Sequence, residues 1–258
     1  MPVSGSTGPP GTVSFHPSGT WATDPSRSLS QDREHRPSWP TSCTVSPVRE
    51  SGRSAAATHG SYTIARLEAA TWDAFADLVE RNNGIYGGCW CAPNHVEYRR
   101  GVSDPRTLKE QLVREGRAQA ALAIDAYGKV QGWCQYGSPD ELHLKHAREY
   151  AKDPPPEARW RIACIFVDKH HRALGVARAA LEGALAEIAA EGGGLVEAIS
   201  ETTAGREAQG RFLFSGTVEL FEEFGFARIR QVGKHAWIVS RTIGPVGPPG
   251  ARAARAKT

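Results

Sequence analysis

Residues 167–181 read VDKHHRALGVARAAL, placing two histidines, two arginines and a glycine between an apolar run and an alanine-rich helical pattern. The first N–H groups of any helix lack an internal partner and sit at the positive end of its dipole. A strand that turns directly into a helix is therefore an anion site, best matched to phosphate. Gly175 lets the backbone approach a ligand with no Cβ in the way, Ala177 keeps the next turn slim, and Arg172 offers a guanidinium able to fork onto phosphate oxygens. The loop reads as a grip for a pyrophosphate. Neither GxxxxGK[ST] nor GxGxxG occurs, which disfavours a P-loop nucleotide site and a dinucleotide fingerprint.

Two further groups invite a chemical reading. In GGCWCAPNH, Cys89, Cys91 and His95 supply at most three metal ligands, and the further pair that a structural zinc site needs is not evident, so no metal is expected. His143, His146, His170, His171 and His235 have no spacing that forces a ligand set; His170 and His171 either lie near phosphate or cap the strand.

The elements that must position these residues follow from periodicity and punctuation. YTIARLEA opens as a strand, and TWDAFADLVERN spaces Trp72, Phe75, Ala76 and Val79 as a helix does. Residues 104–116 read as a second helix, capped by Asp104, begun by Pro105 and ended by Gly116. AQAALAID and VQGWCQYG, joined by AYGK, make a hairpin. A long polar connection with three prolines leads to RWRIACIFV, a buried strand. The loop and a helix to about Glu191 come next, with Ala177, Leu181, Leu185 and Ile188 facing the sheet. LVEAIS, a short helix at TVELFEEF, and the strands FARIRQV and AWIVSR complete the order. This is a mixed α/β sheet with helices packed on it.

Of the 258 residues, 40% are hydrophobic and 23% charged, enough for one or two domains, but the composition is uneven. Residues 1–60 are built from Ser, Thr, Pro, Gly, Ala and Arg, without apolar periodicity, and are expected to be a disordered segment, dispensable or an interaction arm. Residues 243–258 form a similar tail, leaving 61–242 as one domain. A net charge of +3 without a dense Lys/Arg block argues against a nucleic-acid partner. Five cysteines, an odd number, do not make a disulfide framework, and no apolar stretch is long enough to span a membrane or serve as a secretory signal. A cytoplasmic protein is the expectation.

RALGVA at 172–177 fits R/Q-x-x-G-x-G/A, and its setting, a buried strand before and an amphipathic helix after, followed by strand, helix and LFEEFGF, resembles the Gcn5-related N-acetyltransferase superfamily over residues 61–241. GWCQYG, VEAIS, SGTVELFEEFGF and GKHAWIVSR look like a bacterial branch of that superfamily with mostly unassigned substrates. The resemblance implies a mixed, mainly antiparallel sheet with helices on both faces, the acyl-CoA N-acyltransferase fold. It also implies acetyl-CoA as co-substrate, in a cleft where IACIFV and LVEAIS splay apart. Backbone positions Ile165, Phe166 and Val167 would then bind pantetheine and polarise the thioester. Amides of Arg172, Ala173, Leu174, Gly175, Val176 and Ala177 would hold the pyrophosphate, with Arg178 a side-chain contact. Trp90 and Cys91 would line the acceptor pocket or pack beneath the loop, and a homodimer is in keeping with the family.

Acetyl transfer needs the attacking amine neutral, so a base must take a proton. Glu197 is the candidate, because a strand carboxylate beside the cleft is costly to bury unless paired or raised in pKa. Its alternatives are an ion pair or a solvent-facing position. Glu201 either binds a cationic substrate or faces water. The sequence departs from the family at Phe221, where many members carry a tyrosine that protonates the departing thiolate. Cys164 and Tyr136 are the candidate substitutes, or else core residues. The expected function is N-acetyl transfer to a primary amine of a small molecule or peptide in a ternary complex; the alternative is a non-catalytic acyl-CoA sensor.

Overall fold

The computed structural model describes residues 58–59, 62–85, 88–98, 104–205 and 213–246. The expectations placed on residues 1–57 and 247–258 lie outside these described residues. One sheet runs through the domain in the order β1-β2-β3-β4-β5-β6-β8-β7. Its strands are β1 (Thr58–His59), β2 (Tyr62–Arg66), β3 (Gln119–Ile124), β4 (Val130–Gly137), β5 (Trp160–Val167), β6 (Gly194–Glu201), β7 (Ala227–Gln231) and β8 (Ala236–Ile243). Among the described residues, strand pairing runs from Thr58 through Ile243.

Between these strands every pairing is antiparallel except β5 with β6, which run parallel over only three residue pairs, Trp160–Val196, Arg161–Glu197 and Ile162–Ala198. Beyond Ile162 the two strands part. The sheet is mixed and mainly antiparallel, as the resemblance implies.

Helices cover both faces. On one face lies α4 (Val176–Ala190), whose Ala180, Leu181, Ala184, Leu185 and Ile188 pack on Ile64, Ala121, Tyr136, Ile162 and Val196. The short α5 (Val218–Glu223) adds Val218 and Phe221 to the same core. On the other face α1 (Trp72–Arg81) and α2 (Pro105–Arg114) bury Trp72, Phe75, Leu78, Val79, Leu112 and Val113 against Leu122, Trp133 and Cys164. The expected cap of α2 is present: an Asp104 carboxylate oxygen accepts from the Thr107 amide at 3.1 Å, with Pro105 in the first turn.

Trp133 fills the second core, its ring 4.7 Å from that of Phe166 on β5. Burying an aromatic side chain of this kind contributes about 2–3 kcal/mol. The polar connection before β5, read from sequence as loop throughout, contains one helical turn, α3 (Ala147–Tyr150).

Gly132 in β4 explains how the start of α4 comes so close to the sheet. A Cβ there would lie 2.5 Å from the Phe166 carbonyl oxygen and 2.6 Å from a Val176 methyl. Only glycine lets the first turn of α4 settle over the end of β5, and that junction is where the candidate site lies.

Candidate functional site

The turn between β5 and α4 is shaped by two residues of positive φ, Ala173 at 59° and Gly175 at 83°, with Gly175 capping the helix. At this φ a side chain is strained, and a Cβ on Gly175 would meet no atom within 4 Å. Its backbone therefore faces open space, as a phosphate cradle requires. The amides of Val176 and Ala177, in the first turn, have no intrahelical acceptor.

Asp168 holds the loop from behind. Its carboxylate accepts from Arg81 Nε at 3.0 Å, Asn82 Nδ2 at 3.1 Å and the His170 amide at 2.9 Å. Burial alone would raise its pKa; the His170 amide, Asn82 and Arg81 outweigh that and hold it well below the usual carboxylate range. The remaining face of the loop is left to solvent and ligand.

A groove of about 560 Å³ runs from this turn along the end of β5. Ile165, Phe166, Val167, Arg172, Ala173, Gly175, Val176, Ala177 and Arg178 all line it. Leu174 does not: it is 57% exposed, and its carbonyl accepts from the Tyr62 hydroxyl at 3.2 Å, which turns the residue outward. The Arg178 guanidinium is paired with Glu223 on α5 and lies 5.6 Å from the Phe224 ring. His171 lines the groove, while the His170 amide serves Asp168. The opposite wall, Leu213, Gly216, Thr217 and Leu220, was not foreseen. Its one sequence signal is Thr217, which caps α5 by accepting from the Leu220 amide at 3.2 Å.

The gap where β5 and β6 separate is bridged by residues 214–215. The Phe214 carbonyl accepts from the Ile165 amide at 2.6 Å, and the Ser215 carbonyl accepts from the Ser200 hydroxyl at 2.9 Å. The Ile165 amide, expected to face pantetheine, is thus spent within the protein.

Two smaller cavities adjoin. One, of about 340 Å³, shares Ile165 and Phe166 with the groove and is otherwise lined by Ile85, Cys89, Cys91, Pro93, Asn94, Cys164 and Phe214. The other, of about 210 Å³, shares Asn94 and Phe214 with the first and adds His143, Lys145, Arg161, Ile199 and Ser215. Asn94 sits at the end of a 3₁₀ turn, residues Ala92–Asn94, entered through Cys91 at φ 52°.

Of the two residues assigned to an acceptor pocket, Cys91 lines the cavity of about 340 Å³ and Trp90 lines none of the three. Trp90 is 7% exposed, stacked at 5.8 Å on Trp72 and covered by the Arg106 guanidinium at 5.6 Å, so it packs beneath the loop. Cys91 Sγ lies 3.0 Å from Cys164 Sγ, and that hydrogen bond, with burial, pushes the Cys91 thiol up. Below them the buried Lys109 amine lies 2.9 Å from His95 Nε2. Burial lowers Lys109 to about 8, against the opposing pull of the three cysteines, and with Lys109 nearby lowers His95 to about 2. Of the three residues weighed as ligands, Cys91 thus pairs with Cys164 and His95 with Lys109. Among the described residues no group of three or more potential ligands could hold a metal ion.

Glu197 is 2% exposed and fully engaged. Arg161 donates to its Oε1 from Nε at 2.9 Å and from Nη2 at 2.6 Å, and the Tyr150 hydroxyl donates to Oε2 at 2.8 Å. Glu197 lines none of the three cavities. Of the readings left open by alternation, its contacts carry the ion pair rather than the base. Glu201 likewise accepts from Lys145 at 2.9 Å.

Phe221 is wholly buried, edge-on to Phe226 at 5.0 Å between centroids. Of its candidate substitutes, Cys164 lines the apolar cavity, whereas the Tyr136 hydroxyl donates to Glu187 inside the α4 core, away from all three cavities.

No protein-family model matches the chain, and no curated protein matches it. Among solved structures it is similar to a histone acetyltransferase HPA2 and related acetyltransferase from Corynebacterium glutamicum, at 15% identity and TM-score 0.44 over 73% of this chain and 99% of that one. It is also similar to a phosphinothricin acetyltransferase from Sinorhizobium meliloti in complex with AcCoA, at 14% identity and TM-score 0.42 over 71% of this chain and 89% of that one. A third is the GNAT family N-acetyltransferase YhbS from Escherichia coli in complex with CoA, at 14% identity and TM-score 0.40 over 76% and 86% of the two chains.

Proposed function

We propose that this domain is an acyl-CoA-dependent N-acyltransferase of the Gcn5-related type, moving an acetyl group from acetyl-CoA to a primary amine by direct transfer. The observation that carries the reading is the separation of β5 from β6 after Ile162, with a groove leading from that gap to the positive-φ turn at the head of α4. The turn suits a pyrophosphate: unspent helix amides, a glycine open to ligand, and Arg172 beside them. The groove wall along Phe166 and Val167 suits the pantetheine arm, which would bring the thioester to the end of β5.

In the reaction the amine nitrogen bonds to the acyl carbon, the carbon–sulfur bond breaks, and the proton lost by nitrogen balances the one gained by CoA thiolate. The chain's part is to bring both reactants together in a partly dry site, where orientation alone is worth several kcal/mol. With Glu197 paired and Phe221 in the core, Cys164 is the thiol-bearing residue of β5 that lines the cavity beside the groove.

These same features favour a second reading, an acyl-CoA sensor. Its signature is tight binding without turnover over a broad amine panel. The deciding experiment is the thermal shift of the full chain with acetyl-CoA, CoA and ATP, followed by CoA release with amines. Ligand at a hundred times its dissociation constant adds about 2.7 kcal/mol, or roughly 5–10 °C. A shift with both CoA forms and none with ATP supports the cofactor loop; no shift with any of them overturns it.

A further inference from the structure

The cavity beside the groove has a composition that bears on the acceptor. Of its nine lining residues all but Asn94 are apolar or thiol, with Cys89, Cys91 and Cys164 set among Ile85, Phe166 and Phe214. The thiols are poor hydrogen-bonding groups and already satisfy one another, with Cys91 and Cys164 in contact at 3.0 Å. An apolar cavity of about 150 Å³ accepts a benzene ring; this one is about 340 Å³. An acetyl group alone would leave most of it empty.

At its far side, past Asn94 and Phe214, the character changes. The adjoining cavity presents Asn94, His143 and Ser215, and the Ser215 hydroxyl is buried with no hydrogen-bond partner among the described residues. A buried hydroxyl without a partner costs about 1–3 kcal/mol, which a ligand's polar group would relieve. The two cations there are both committed, Arg161 to Glu197 at 2.6 Å and Lys145 to Glu201 at 2.9 Å. The polar end therefore selects an uncharged hydrogen-bonding group over a carboxylate.

Resting on the acyl-transfer reading, we infer that the acceptor is an amine carrying an apolar side chain, seated in the thiol-walled cavity, and an uncharged hydrogen-bonding group beyond it, seated by Asn94 and Ser215. An acyl chain is apolar to its tip and would meet the polar walls unpaired, so the occupant is the acceptor and not a longer acyl donor. A hydrophobic amino-acid amide, or a peptide beginning with such a residue, has this arrangement of groups.

The test crosses acetyl-CoA and hexanoyl-CoA with glycinamide, leucinamide, phenylalaninamide and free leucine, following CoA release by the full chain. Each buried methylene is worth about fourfold, so kcat/KM is expected to rise at least thirtyfold from glycinamide to leucinamide, and to fall when leucine replaces leucinamide. Cys89→Trp, which fills the cavity from its rim, should erase the leucinamide advantage while acetyl-CoA affinity stays the same. Equal kcat/KM for glycinamide and leucinamide overturns the inference while leaving acyl transfer intact, and a gain seen only with hexanoyl-CoA overturns it by giving the cavity to the donor. If no pair releases CoA, the cavity is judged by calorimetry on the CoA-saturated chain: tighter binding of leucinamide than glycinamide sustains it, equal binding overturns it, and acyl transfer itself is decided by the broad amine panel.

Discussion

The two ends of the site are made of different material. At the head of α4 the exposed groups are backbone, helix amides and a glycine at φ 83°, and one side chain, the Asp168 carboxylate, fixes the loop from behind. Around the second and third cavities the groups are side chains, and most are already bound to one another: Arg161 with Glu197 and Tyr150, Lys145 with Glu201, Lys109 with His95, Cys91 with Cys164. A backbone cradle demands only a conformation, so it leaves its donors unspent. A side-chain network must satisfy its own charges, because buried ions without partners are costly. What remains for a ligand on that side is shape, dry surface and a few neutral polar atoms.

The largest expected effect lies in the side-chain half. Arg161→Ala strands the Glu197 carboxylate in the core and should cost about 3–5 kcal/mol, a fall in Tm of roughly 10 °C or more for a domain of this size. A loss under 1 kcal/mol by denaturant titration would mean that the network is not structural and would collapse the contrast. In the backbone half, Gly175→Asp puts a side chain at positive φ and a negative charge against the phosphate cradle. Acetyl-CoA affinity is expected to fall at least a hundredfold, and affinity unchanged in calorimetry would remove the loop from cofactor binding.

A third prediction takes α4 at its other end, where Glu187 accepts from the Tyr136 hydroxyl beneath the sheet. Burial raises Glu187 to about 7 from its ordinary 4.5. Because the folded value is the higher one, the stability this group contributes is full below pH 4.5 and is lost as pH rises through 7, by up to roughly 3 kcal/mol. Glu187→Gln should flatten that part of the curve and be the more stable form at pH 8; parallel curves for the two proteins would contradict it. Smallest in rate is Glu197→Gln, which should slow acyl transfer less than tenfold and leave the pH profile in place. A drop of a hundredfold or more, steepest at low pH, would restore Glu197 as the base and put a working carboxylate in the side-chain half.

The same division decides what could be read from sequence. The strand, the turn and the helix at the head of α4 are local: apolar RWRIACIFV, RALGVA and the spacing of Leu181, Leu185 and Ile188 were enough for these elements, and the order of the remaining ones followed from caps and periodicity. The partners of side chains are not local. Arg161 and Glu197 stand 36 positions apart, and only the parallel register of β5 and β6 sets them opposite each other. Trp90 and Cys91 are neighbours in sequence, yet the positive φ of both residues sends one ring into the α1 core and leaves the other's sulfur at a cavity wall. Tyr136 looked close to the sheet because it is in it, but alternation turns its hydroxyl to the α4 side.

The three-pair contact between β5 and β6 has a mechanical consequence. Apart from the two-residue edge strand β1, it is the narrowest seam in the sheet, with β1 to β5 forming one leaf and β6, β8 and β7 the other, and residues 214–215 are stitched across its open end by two hydrogen bonds. A ligand lying along β5 and reaching the α5 wall would act as one more stitch. Amide hydrogen exchange in β6 and β8 should then slow on acyl-CoA binding even though neither strand lines the groove, the seam passing to the second leaf the restraint that the ligand places on the first.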